Sequence, residues 1–219
     1  MNPYKTLMKA GVDEVVINKS RFIGHAAPVK TPEEALEFLE KIRTEYRDAS
    51  HHCYAYVIGK NAGIMRYSDD GEPGGTAGLP MMEVLKARSV VDCAVVVTRY
   101  FGGILLGAGG LVRAYRRCCT LALNAAGVCT MHPTQRYFCE IPYSLWDRAL
   151  YTFKSLPIQM ENTEFTASVS FEMLVRTSDS EDVLQQLTRV TDGRSEFLLE
   201  EELYSPWIET ATPEEDTQE

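Results

Sequence analysis

Seven residues near the middle of the chain, Val91-Asp92-Cys93-Ala94-Val95-Val96-Val97, make a nearly continuous apolar run. Such a run predicts a strand covered on both faces, so the domain around it must place packed elements on either side of a sheet. The run ends at Thr98-Arg99-Tyr100-Phe101. A glycine-rich loop follows, Gly102-Gly103-Ile104-Leu105-Leu106-Gly107-Ala108-Gly109-Gly110, and leads straight into a helix with Val112, Tyr115, Cys119, Ala122 and Ala126 on one stripe. Gly127 stops that helix.

Upstream, Val12–Ile17 and Arg21–Val29 read as a hairpin turned at Asn18-Lys19-Ser20. Thr31-Pro32-Glu33-Glu34 supplies a capping hydroxyl, a proline at the first helical position and a carboxylate three residues after the cap. The helix predicted from it spans about residues 32–47, with Ala35, Leu39, Ile42 and Tyr46 inward. Strands are expected at His52–Ile58 and Gly63–Ser68. A first turn-rich stretch follows, Asp69-Asp70-Gly71-Glu72-Pro73-Gly74-Gly75-Thr76-Ala77-Gly78, before a short helix from Pro80.

The rhythm changes near Pro133. The pattern predicts a strand at Tyr137–Ile141, a helix from Ser144-x-x-Asp147 with Trp146, Leu150 and Phe153 inward, and a strand at Ile158–Thr163. From Phe165 to Val175 every odd residue is apolar, the mark of a strand with one wet face. Ser178-x-x-Glu181 caps a helix through Val183, Leu184, Leu187 and Val190, Asp192-Gly193 turns the chain, and Ser195–Tyr204 is the last strand. The order βαββαβ is the split-βαβ, ferredoxin-like pattern. The expected organisation is a first domain over 1–131, a second over 132–204 and a loose acidic tail over 205–219.

Charge divides in the same way. Residues 1–131 hold 16 Lys and Arg against 13 Asp and Glu, a net +3, whereas residues 132–219 hold 6 against 18, a net −12. An anionic partner belongs on the first unit, and the acidic second unit, with Glu196, Glu200 and Glu202 on one side of its last strand, repels a polyanion or docks a basic protein. No apolar run approaches the eighteen or so residues of a membrane span, and the start has no secretory layout, so the expectation is a cytoplasmic protein without membrane partners. Its six cysteines, none in C-x-x-C spacing, are expected to be reduced thiols.

Both glycine-rich stretches lie between a strand and a helix start, where exposed N–H groups and the helix dipole attract an anion. The second also has Arg99 at the end of its strand and Arg113, Arg116 and Arg117 in its helix. The candidate anion or nucleic-acid site is therefore Arg99, Gly102, Gly103, Gly107, Gly109, Gly110, Arg113, Arg116 and Arg117. The first stretch adds Gly74, Gly75, Thr76 and Gly78, although Asp69, Asp70 and Glu72 oppose a phosphate there. Neither stretch fits G-x-x-x-x-G-K-[ST] or G-x-G-x-x-G, which disfavours a P-loop or Rossmann site. In Ser50-His51-His52-Cys53 a strand sends His51 and Cys53 to one face and His52 to the other, so the adjacent imidazoles do not share a metal. His51, with Asp69 and Asp70 folded near, is a candidate acid–base group; Cys118-Cys119 points two ways along a helix. No metal and no cofactor are expected.

The segments Tyr67-Ser68-Asp69-Asp70-Gly71-Glu72-Pro73-Gly74-Gly75-Thr76-Ala77-Gly78 and Val95–Tyr115, which includes Thr98-Arg99-Tyr100-Phe101-Gly102-Gly103, resemble the two hallmark stretches of the YigZ/IMPACT family. The resemblance covers about residues 15–125, and the βαββαβ remainder resembles the C-terminal domain of bacterial members. It implies an α+β fold in two domains. The first is an α/β sandwich similar to the second domain of a ribosomal small-subunit protein and to elongation factor G domain IV; the second is similar to elongation factor G domain V. It also points toward RNA, ribosomes or translation factors.

Two functions are compatible with these residues. One is a translation-associated regulator that binds RNA, the ribosome or a translation factor, with the arginines neutralising phosphates and no DNA specificity. The other is an enzyme for a small phosphorylated or acidic substrate, using the glycine loops as an anion cradle and His51, Asp69 or Asp70 for proton transfer. A charge of +3 and the lack of clustered aromatics argue for a limited electrostatic footprint.

Overall fold

The computed structural model describes residues 2–207. It divides into two compact units, Tyr4–Thr130 and one centred on Met131–Trp207. Both are mixed helix and sheet, which makes the fold α+β.

In the first unit β1 (Tyr4–Leu7) precedes β2 (Gly11–Ile17) and β3 (Ser20–Pro28), which form the expected hairpin. Asn18 and Lys19 turn it with φ of 46° and 65°, the two positive values that match the twist of the flanking strands. Helix α1 (Pro32–Glu45) starts as its sequence dictates: the Thr31 hydroxyl accepts from the Glu34 N–H, and the Glu34 carboxylate reaches back to the Lys30 N–H. After β4 (His51–Ile58) and β5 (Ile64–Ser68), helix α2 covers Gly78–Ala87, two residues earlier than Pro80. Proline is tolerated inside this first turn because its missing N–H has no helical acceptor there.

Strand β6 (Cys93–Tyr100) is central in the order β2-β3-β6-β4-β5, with every pairing antiparallel. Its side chains alternate between two cores. Cys93, Val95 and Val97 meet α2 and α3 (Gly107–Ala126), whereas Ala94 and Val96 meet α1. Helices on both faces explain why the strand lacks a polar side. The expected loop over 102–110 is shorter than its glycines suggest, because residues 107–110 form the first turn of α3. Leu111, Ala114 and Cys118 join Tyr115, Cys119, Ala122 and Ala126 in its buried face, with Val112 only partly covered.

The second unit follows the order β7 (Val128–Ile141), α4 (Tyr143–Phe153), β8 (Ile158–Phe165), β9 (Val169–Arg176), α5 (Ser180–Val190) and β10 (Glu196–Trp207). That is βαββαβ, with β9 between β7 and β8 and β10 on the other side of β7. Several expectations need correction. The strand expected over 165–175 starts only at Val169, since Phe165 ends β8 and the chain reverses at 166–168 with Thr166 N–H donating to the Ser168 carbonyl, 3.0 Å away. The odd-residue alternation ran through the turn by parity, and Phe165 is 60% exposed. In α4 the buried face is Leu145, Ala149 and Phe153, with Trp146 edge-on to Phe153 and Leu150 turned outward. Asp179, not Ser178, precedes α5, and its carboxylate takes Arg176 Nε at 2.7 Å instead of capping the helix. Ser205–Trp207, expected in the tail, belong to β10; the rest of that tail lies outside the described residues. Glu196, Glu200 and Glu202 are exposed on β10. Among the described residues no helix is long and apolar enough to cross a membrane.

Two histidines sit under α1. His25 is 4% exposed, its Nε2 has no partner, and its ring lies 5.1 Å from that of Tyr46; His52 Nε2 donates to the Tyr46 carbonyl at 3.1 Å. Burial lowers the pKa of both, and His52 adds to the lowering at His25. Glu45 near His25, and the Tyr46 carbonyl and Asp70 near His52, pull only partly the other way, while Arg43 and His51 add to the lowering. The unfolded chain therefore binds protons near pH 6.5 that the folded unit accepts only at lower pH. Stability contributed by these neutral rings is complete above about pH 6.5 and is lost as the pH falls through the lowered values. The expected result is a melting temperature that drops between pH 7 and 5. Thermal unfolding of a His25→Gln, His52→Gln variant should show a shallower dependence over that range, and an unchanged slope would refute the assignment.

Candidate functional site

The two glycine-rich stretches are placed close together, but they treat their amides differently. In the first, Asp69 folds back over its own loop: Oδ2 accepts from Gly75 N–H at 2.8 Å, and Oδ1 from Ala77 and Gly78 N–H at 3.0 and 2.8 Å. Thr76 donates both its N–H and its hydroxyl to the Pro73 carbonyl. The protein's own carboxylate thus occupies the position an incoming anion would take, and buried main-chain donors of this kind require such a partner. Gly74 is exposed beside them.

In the second stretch the Gly102 N–H donates to Ser20 Oγ at 3.2 Å, and Phe101 N–H to Ser50 Oγ at 3.3 Å. Beyond them the chain turns through Gly103 and Gly107, with φ of 82° and 67°, into α3. The start of α3 has neither a side-chain cap nor an acidic residue in its first turn, which contains Gly107, Ala108, Gly109 and Gly110. A 20-residue helix beginning this way presents unpaired N–H groups and the positive end of its dipole.

That helix start opens on a cleft of about 370 Å³. Phe101, Leu105, Leu106 and Leu111 form much of its wall, with His51, Glu72 and Arg99 as its charged or titratable members. Arg99 comes from the end of β6 and is 5% exposed. Its Nη1 meets Glu72 Oε1 at 2.6 Å, Nη2 reaches Ser20 Oγ at 3.4 Å, and Nε has no acceptor. The guanidinium lies between the rings of Phe22 and Phe101, 5.3 and 5.5 Å from their centroids. Glu72 Oε1 also accepts from Tyr115 OH at 2.7 Å, and the Cys53 thiol donates to that hydroxyl at 3.4 Å. Burial pushes the Cys53 thiol and the Tyr115 phenol far up, so neither ionises at neutral pH. Cys118, also buried, is pushed up to about 12, and Cys119 higher still, which makes poor nucleophiles of both.

His51, at the start of β4, faces the Asp70 carbonyl with Nδ1 at 2.8 Å. A carbonyl only accepts, so Nδ1 carries the hydrogen and Nε2 of the neutral ring keeps its lone pair. The carboxylates named alongside it are engaged elsewhere. Asp70 Oδ2 accepts from His52 N–H at 2.6 Å and Oδ1 from Arg43 at 3.2 Å, while Asp69 serves the first loop. Among the described residues no group of three His, Cys, Asp or Glu side chains is arranged for a metal.

Of the helix arginines, Arg116 pairs with Glu83, whereas Arg113 and Arg117 are exposed with no ion pair among the described residues. Reasoning from sequence missed Glu72 as the partner of Arg99, and Phe101, Leu105 and Leu106 as cleft wall. Only the acid–base complementarity of two residues beside the two glycine stretches hinted at the first, and no local signal marked the others.

The Impact N-terminal domain matches residues 18–123, and a domain of unknown function, DUF1949, matches residues 139–194. The chain is 43% identical over 129 residues to IMPACT family member YigZ of Escherichia coli, covering 58% of this chain and 63% of that relative. A solved structure described as an hypothetical protein is 32% identical, with a TM-score of 0.58 over 92% of this chain and 98% of its own. IMPACT family member YvyE of Bacillus subtilis is 40% identical over 197 residues, 90% of this chain and 91% of that relative. With likeness extending through both units, the chain belongs to the IMPACT family.

Proposed function

We propose that this protein is a translation-associated regulator that binds RNA through the start of α3, on the ribosome or free of it. The observation that carries the reading is the uncapped, acid-free first turn of α3, opening on the cleft, with Arg113 and Arg117 exposed and unpaired one to three turns further along. Helix amides and two free guanidinium groups suit a phosphate chain and position it without reading bases. Arg99 supports the floor and Arg116 is shared with Glu83, so the phosphate contacts fall to Arg113 and Arg117. The link to translation comes from the family resemblance.

The test is binding of a fluorescent single-stranded RNA from 50 to 200 mM salt. An Arg113→Glu, Arg117→Glu variant should bind at least tenfold more weakly at the low-salt end. Its log–log salt slope should be shallower by about 1.4, at roughly 0.7 per phosphate contact on a single strand. Its melting temperature should not move, because both side chains are exposed. Equal affinity and slope in the two proteins would reject the reading. A second reading, an enzyme acting on a small phosphorylated or acidic substrate, is favoured by one observation, the free Nε2 of His51 at the cleft wall.

A further inference from the structure

We infer that the cleft at the start of α3 holds one nucleoside monophosphate unit, with its phosphate on the helix amides and its base against Phe101. The inference rests on the reading that this helix start takes a phosphate, and names what is attached to it. Three features of the cleft select the ligand.

The first is polarity. A phosphate alone would suit an open, wet helix end, but this one is walled by Phe101, Leu105, Leu106 and Leu111. A cleft of about 370 Å³ lies within the usual range for small-molecule sites, roughly 300–1,000 Å³, and its apolar wall calls for a ligand with a sizeable apolar body. The second is the aromatic ring. Phe101 has the Arg99 guanidinium on it, 5.5 Å from the centroid, yet is 48% exposed, so part of its ring is open to a planar partner. A ring backed by a cation and open to the cleft is a stacking platform for a nucleobase. The third is an unused donor. Arg99, 95% buried in a residue that lines the cleft, leaves Nε without an acceptor, and the free Nε2 of His51 stands on the same wall. A buried donor left without a partner beside a cavity calls for a reason, and a ligand seated in the cleft is one. A base edge or sugar hydroxyl supplies a donor to His51 Nε2.

The wall is also built to adjust. Ile104, Leu105 and Leu106 run between two glycines of positive φ, Gly103 and Gly107, and Leu105 is 86% exposed. Such a segment can fold its leucine over a bound base without disturbing β6 or the body of α3.

Calorimetric titration of the full chain with AMP, ribose 5-phosphate, adenosine and inorganic phosphate tests the inference. AMP should bind at least tenfold more tightly than ribose 5-phosphate or inorganic phosphate. Phe101→Ala should weaken AMP by about tenfold or more while leaving ribose 5-phosphate unchanged, as expected for the loss of one stacking contact. Ala108→Asp, which adds a negative charge in the first turn of α3, should weaken AMP and ribose 5-phosphate alike without lowering the melting temperature. AMP binding no tighter than inorganic phosphate, or an affinity for AMP indifferent to Phe101→Ala, would overturn the inference.

Two sources share this chemistry, a free nucleotide and the end of an RNA chain. Displacement of AMP by a 5′-phosphorylated oligonucleotide, but not by its 5′-hydroxyl form, supports the chain end; no displacement by either supports the free nucleotide. The two readings fail separately. If RNA affinity depends on Arg113 and Arg117 while AMP does not bind, the nucleotide inference falls and RNA binding stands; if AMP binds and the arginine variant is silent, RNA binding falls.

Discussion

Truncation of Glu72 to alanine should destabilise the first unit by about 3–5 kcal/mol, the cost of leaving a buried charge without its partner. Glu72 and Arg99 have side chains only 3% and 6% exposed, and their 2.6 Å contact carries the charge balance of the cleft floor. Glu72 Oε1 also receives the Tyr115 hydroxyl, itself fully buried. Alanine at 72 would strand a guanidinium and a phenol together, at a point where β6, α3 and the first glycine stretch meet. Denaturant unfolding of the variant measures the loss. The control is the pair Glu72→Leu with Arg99→Met, which removes both charges and should recover most of the stability, because replacing a whole buried ion pair by apolar groups is often neutral. A Glu72→Ala loss below about 1 kcal/mol would mean that solvent reaches the floor freely and that the pair is not buried in solution.

Gly102→Ala should be comparably severe for a different reason. A β-carbon built at Gly102 falls 2.0 Å from the Lys19 carbonyl carbon, 2.1 Å from its oxygen and 2.5 Å from Ser20 N. All three are main-chain atoms of the β2–β3 turn, so no side chain can swing aside. The turn is already held in an uncommon conformation, with Asn18 and Lys19 at positive φ, and Gly102 N–H is bonded to Ser20 Oγ. Either the hairpin or the 101–106 segment must move, at an expected cost of about 3 kcal/mol or more, in the range of severe single substitutions. Gly74→Ala is the control, since a β-carbon there meets nothing within 4 Å, and it should change stability by less than about 0.5 kcal/mol. If Gly102→Ala unfolds at the same denaturant concentration as the parent protein, the packing of the turn against the loop is wrong.

Much of the fold was legible in the chain because its signals are local. Glu34 N–H donates to the Thr31 hydroxyl and the Glu34 carboxylate accepts from Lys30 N–H, all within one helical turn, and Asn18-Lys19 supplies a two-residue reversal. The apolar run at 91–97 announced a strand enclosed by helices. Errors arose where a local pattern had two readings. Alternation from Phe165 to Val175 crossed a turn without losing parity, and glycines at 107–110, a loop by composition, are the opening of α3. At the cleft, His51, Arg99 and Gly107 were named from residue type and do come together.

What the sequence determined by itself was every element but β1, the ferredoxin-like order of the second unit, the uneven charge and the family. Only the tertiary structure decided which polar groups were already spent. Asp69 fills the amides of its own loop, Glu72 claims Arg99 across 27 residues, and Glu83 claims Arg116, while Arg113, Arg117 and the first turn of α3 stay open. Periodicity and capping act over one or two turns of chain and are written in neighbouring residues. A hydrogen bond is set by an approach to about 3 Å, which for distant residues exists only after the sheet and its helices have packed.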